Sequence, residues 1–101
     1  GLTPDEILAR AIALPDGQDK LDLFLLIHKD FPQSERADDA LFLAAQVSLD
    51  KWSDRAQASR YLHTLLTEYP ESELAGDARY MMDNLENPNF VAPKSIEDLR
   101  R

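Results

Sequence analysis

The chain of 101 residues contains no cysteine, which excludes a disulfide framework and any thiolate metal site. It has only three glycines, little material for a backbone anion cradle, and no Gly-rich phosphate loop, H-E-x-x-H or G-x-S-x-G pattern occurs. Long apolar runs are also missing. Runs such as Leu23 to Ile27 fall far short of the roughly 18 residues that a membrane span needs. Cations are scarce: 11 Lys and Arg stand against 19 Asp and Glu, a formal net charge of −8. Such a field repels phosphate backbones and anionic headgroups, so it argues against nucleic acid and leaves a basic or amphipathic protein or peptide as the permitted partner. The chain as given has no basic start followed by an apolar stretch, hence no signal peptide. The leading glycine and the ending on Arg100 and Arg101 suggest a piece excised from a longer parent.

What is present is ordinary globular material, 44% hydrophobic and 30% charged, at a length that predicts one domain. Its most informative feature is self-similarity. FPQSERADDALF, from Phe31 to Phe42, returns as YPESELAGDARY, from Tyr69 to Tyr80, and six of the twelve positions are identical at an offset of 38 residues. Pro32, Ser34, Glu35, Ala37, Asp39 and Ala40 meet Pro70, Ser72, Glu73, Ala75, Asp77 and Ala78. A fixed period in this range marks a repeat architecture.

Periodicity and capping signals predict five helices, over about 4–14, 18–31, 35–49, 54–69 and 73–86, followed by a tail over 87–101. Thr3-Pro4-Asp5-Glu6 opens the first as a capping box with proline at its start. Pro15-Asp16-Gly17 closes it. The second is apolar nearly all round, which predicts burial from several sides. Phe31-Pro32 and Tyr69-Pro70 end the second and fourth, because a residue before proline is disfavoured in the helical region. Ser34 and Ser72 are expected to cap the helices that follow. The third carries a stripe of small residues, Ala37, Ala40, Ala44, Ala45 and Ser48, that lets a neighbour approach closely. Asp50 to Ser53 reads as a turn, with Trp52 a lid on the local core and Ser53 or Asp54 the next cap. In the tail, Phe90 and Val91 are expected to fold back on the last helix, and Ser95 to Asp98 to open one short turn. Nothing reads as a strand.

These residues resemble a tetratricopeptide repeat, in the longer bacterial variety whose helix pairs end in Y/F-P-x-S and continue A-x-x-A. Ala40, Ala45, Ala58 and Pro70 match the family's small-residue and proline positions, with the family's spacing of 12 from Ala58 to Pro70. The resemblance covers Pro4 to about Glu86. It departs in its period, 38 instead of about 34. Ser48 stands where an aromatic is common, Leu65 where alanine is common, and Lys20 at the small-residue position before Pro32. The first pair is therefore degenerate, and the last has only its first helix. The array counts roughly two and a half units where about three are usual. Its ends are capped by the terminal segments, or covered by more of the parent or by a second copy.

The resemblance implies an all-α fold, a right-handed superhelix of antiparallel helix pairs with about five helices and a short C-terminal segment. It also implies a scaffold that binds a protein or peptide on a concave face lined by the first helix of each pair. By position that face carries Asp39, Phe42, Gln46, Leu49 and Asp50 from the third helix and Asp77, Tyr80 and Asn84 from the fifth. Phe42 and Tyr80 occupy equivalent positions and would supply contact area, with the carboxylates and amides orienting the partner. The competing reading is that both rings fill space between helix pairs. Relatives of this type are found in bacterial envelopes, which tilts the expected location that way.

No cofactor, metal or catalytic residue is expected. His28 and His63 lack the lysine that a phosphotransfer domain carries three residues on, since Phe31 and Leu66 stand there, and His28 near a helix C-terminus is favoured by the dipole alone. The abundant carboxylates form no convergent constellation and read as solvated faces and helix starts. The resulting expectation is a protein-interaction module without enzymatic activity. The alternative is a structural part of a larger protein that self-assembles through the fifth helix and the tail.

Overall fold

A computed structural model describes residues 1–85, and the expectations for Glu86, Phe90, Val91 and the rest of the tail lie outside the described residues. Five helices occupy this part: α1 (Pro4–Ala13), α2 (Gln18–Asp30), α3 (Ala37–Trp52), α4 (Arg55–Glu68) and α5 (Ala75–Asn84). No strand occurs among the described residues. Each helix packs on the next along the chain, giving a body with principal extents of 41 × 29 × 25 Å. No described helix is long and apolar enough to cross a membrane.

Local chemistry sets most of the boundaries. At α1, Thr3 N–H donates to Glu6 Oε1 (3.1 Å) and Glu6 N–H donates to Thr3 Oγ1 (3.2 Å), so the capping box is closed. Lys20, at the position where Ala58 stands in α4, sends its Nζ to the Leu14 carbonyl (3.1 Å) and lies 3.5 Å from Asp16, tying the α1–α2 turn together. Asp54 caps α4 through Gln57 N–H (3.0 Å).

Helix α3 runs three residues beyond the expected end, so Asp50, Lys51 and Trp52 are its last helical turn and not a loop. What stops it is Ser53 in the left-handed conformation (φ 52°), whose N–H reaches the Leu49 carbonyl. Trp52 is 42% exposed there and belongs to neither core cluster, so it is not the lid expected of it.

The helix buried on every side is α3, where burial was expected for α2. Every residue of α3 from Asp39 to Ser48 is buried, whereas α2 buries only Leu21, Phe24 and Ile27. The reason is position in the stack: α3 has α2 on one side and α4 on the other. Two core clusters divide accordingly. Ala40, Leu43, Ala44 and Val47 of α3 join Ile7 and Ala11 of α1 and the buried residues of α2. Leu41, Phe42 and Ala45 join Ala58, Leu62 and Leu65 of α4, with Leu74, Ala78 and Met81. The small side chains let the helices approach closely. Buried Ser48 donates to the Ala44 carbonyl (2.9 Å), the usual way a hydroxyl is satisfied within a helix.

Candidate functional site

The repeated sequence forms two joints that are the same at the level of single hydrogen bonds. In the first, Phe31 N–H donates to the Ile27 carbonyl, Ser34 N–H to the Phe31 carbonyl and Ala37 N–H to the Ser34 carbonyl. In the second, Tyr69, Ser72 and Ala75 repeat those bonds to Leu65, Tyr69 and Ser72. Phe31 and Tyr69 share a backbone conformation (φ, ψ −132°, 55° and −129°, 58°), as do Arg36 and Leu74 (−95°, −7° and −89°, −3°). The serines do not cap α3 and α5 directly. Ser34 Oγ accepts from Arg36 N–H and Ser72 Oγ from Leu74 N–H, both at 3.0 Å, in a turn that precedes each helix.

Stacking the joints brings their side chains together. Tyr69 Oη donates to the Pro32 carbonyl (2.7 Å), and Ser72 Oγ donates to Asp38 Oδ2. Glu68 Oε1 lies 2.8 Å from His28 Nε2, and the His28 and Tyr69 rings meet edge to face at 6.1 Å. Burial, then Glu68 and Asp38, pushes the Tyr69 hydroxyl above its ordinary pKa, which keeps it a neutral donor.

Between the joints lies an open cleft of ≈ 530 Å³. Its charged lining is Glu35, Asp38, Glu68, Glu71 and Glu73 against the single guanidinium of Arg36. Arg36 itself is engaged, with Nε donating to Asp5 Oδ1 (2.7 Å) and a terminal nitrogen to Asp39 Oδ2 (3.2 Å). These two carboxylates, Asp5 first, raise its pKa further, so it stays a fixed cation bridging α1 and α3.

The residues expected to line a concave face divide into two sets. Phe42 is 1% exposed, locked in the cluster shared with α4, so the space-filling reading applies to it and it offers no ring to a partner. Asp39 is 1% exposed and bonded to Arg36, as a buried carboxylate must be. Gln46 is 7% exposed. Leu49 is half-buried against the same cluster as Phe42. Tyr80 is 60% exposed, Asp50 is exposed, and Asp77 and Asn84 are half-buried. Asn84 Nδ2 donates to the Tyr80 carbonyl (2.7 Å), fixing the last turn of α5. The accessible members therefore gather on α5 and at the end of α3.

Arg36 and the joint-to-joint contacts were missed in the sequence, although one signal was available: Phe31 lacks the hydroxyl that Tyr69 uses. Among the described residues no group of three or more His, Asp or Glu gathers as a metal-ligand set. Comparison with known proteins returns no match: no family model fits the chain, and no curated protein or solved structure is significantly similar to it.

Proposed function

We propose that this chain is a protein-interaction module built as a tetratricopeptide-like superhelical array, which holds a basic or amphipathic segment of a partner protein. The observation that carries the reading is the duplicated joint: α2 is linked to α3, and 38 residues on α4 to α5, through the same backbone bonds. Such stacking builds extended surfaces from rigid units, and those surfaces are what repeat proteins use for binding.

The contact surface in this reading is smaller than the one expected from position. It centres on Tyr80, with Asp77 and Asn84 one turn to either side on α5, and excludes buried Phe42, Asp39 and Gln46. An exposed aromatic among polar groups supplies area at little entropic cost, and the Asp77 carboxylate selects a basic partner.

The reading is tested by fluorescence anisotropy with labelled amphipathic peptides of equal length, one set basic and one acidic. Basic peptides are expected to bind with an affinity that falls as salt rises, and Tyr80→Ala to weaken them about tenfold, or ~1.4 kcal/mol. Equal binding of both sets, or of neither, refutes it.

A further inference from the structure

The two joints agree wherever they build the turn and differ wherever one touches the other. Three contacts cross between them: His28 with Glu68, the Pro32 carbonyl with the Tyr69 hydroxyl, and Asp38 with Ser72. Carried forward by 38 residues, His28 becomes Leu66 and Asp38 becomes Gly76. The second joint thus lacks both side chains with which the first receives it.

Helix α3 shows the same asymmetry against its repeat equivalent, α5. The face of α3 that meets the preceding pair, Ala40, Leu43, Ala44 and Val47, is kept in α5 as Ala78, Met81, Met82 and Leu85. Three of these are buried, and Met82 packs against the core as a half-buried residue. The opposite face of α3, Leu41, Phe42 and Ala45, which packs on α4 and shares a cluster with Leu74, Ala78 and Met81 of the following unit, becomes Arg79, Tyr80 and Asp83. All three are exposed.

From these replacements we infer that the outer face of α5 is a closed end of the described helices: a second copy of the chain does not stack on it. Stacking there would take Arg79 and Asp83 out of water in the place of a leucine and an alanine, and burying charge without matched partners is costly. Terminal units of repeat arrays need such a polar outer face to stay soluble. The inference is independent of the binding reading and opposes the self-assembly through α5 that was the alternative expectation.

Sedimentation velocity over a wide concentration range tests it, with the full chain and the variant R79L/Y80F/D83A, which restores α3-like residues. The wild-type chain is expected to sediment as a monomer throughout, and the variant to shift to twice that mass or more at unchanged helicity. A folded variant that stays monomeric overturns the inference, because the polar face is then not what prevents stacking. Should the triple variant lose helicity, R79L/D83A, which leaves the aromatic in place, is read on the same scale. Hydroxyl-radical footprinting of Tyr80 in the wild type gives a second measure. Constant reactivity from low to high concentration is expected, and protection that grows with concentration overturns the inference.

Discussion

Phe42 and Tyr80 hold equivalent positions in the two repeats, and truncating each to alanine should give sharply different results. Phe42 is 1% exposed, among the largest fully buried side chains, and is packed with residues of α4. Removing a phenyl ring from such a site loses its transfer free energy and leaves a cavity, together about 3–5 kcal/mol. A domain of this size has roughly 5–15 kcal/mol in total, so Phe42→Ala would use a large part of the margin. At about 4–8 °C per kcal/mol the melting temperature should fall by at least ~12 °C. Tyr80 is 60% exposed, and Tyr80→Ala should stay within about 0.5 kcal/mol of wild type. Urea unfolding followed by circular dichroism at constant m-value measures both. The reasoning fails if the two variants lose equal stability, because burial between α3 and α4 is the sole difference invoked.

Further outcomes follow from single contacts. Tyr69→Phe removes the bond to the Pro32 carbonyl and should cost about 0.5–1.5 kcal/mol in the same urea assay, whereas a neutral result would mean water replaces it fully. A double-mutant cycle on Ser72→Ala and Asp38→Ala should show coupling of at least ~0.5 kcal/mol, and strict additivity would deny that the joints are clasped. Ser53→Gly should stabilise by roughly 0.5–1 kcal/mol, since glycine adopts the left-handed conformation without the Cβ penalty. The Thr3 N–H, and then the Thr3 hydroxyl, hold the Glu6 carboxyl below its ordinary pKa. A depressed folded pKa means that the contribution is present above the unfolded value and lost as pH falls through the folded one. The stability of wild type relative to Glu6→Gln should therefore decline only on the acid side of the ordinary carboxylate range, and a pH-independent difference would refute the assignment.

Much of the fold was legible in the sequence because it rests on local chemistry. The capping box at Thr3, the stops at Phe31-Pro32 and Tyr69-Pro70 and the cap at Asp54 each depend on residues a few positions apart. The 38-residue period was equally legible, since the same backbone turn needs the same proline, serine and alanine. Errors arose where the outcome depends on neighbours distant in the chain. The apolar all-round pattern of α2 suggested the most buried helix, yet α3 lies between two others and takes that place. Asp50 and Ser53 look like turn residues and predict a turn around Trp52, while the helix continues until Ser53 turns left-handed. The candidate site divided for the same reason. Phe42 and Tyr80 are both aromatic, occupy equivalent positions and follow matching joints, so composition and spacing cannot tell them apart. Whether such a ring is core or surface depends on a helix covering it, and that was decided only when α4 closed over α3 while the outer side of α5 stayed exposed.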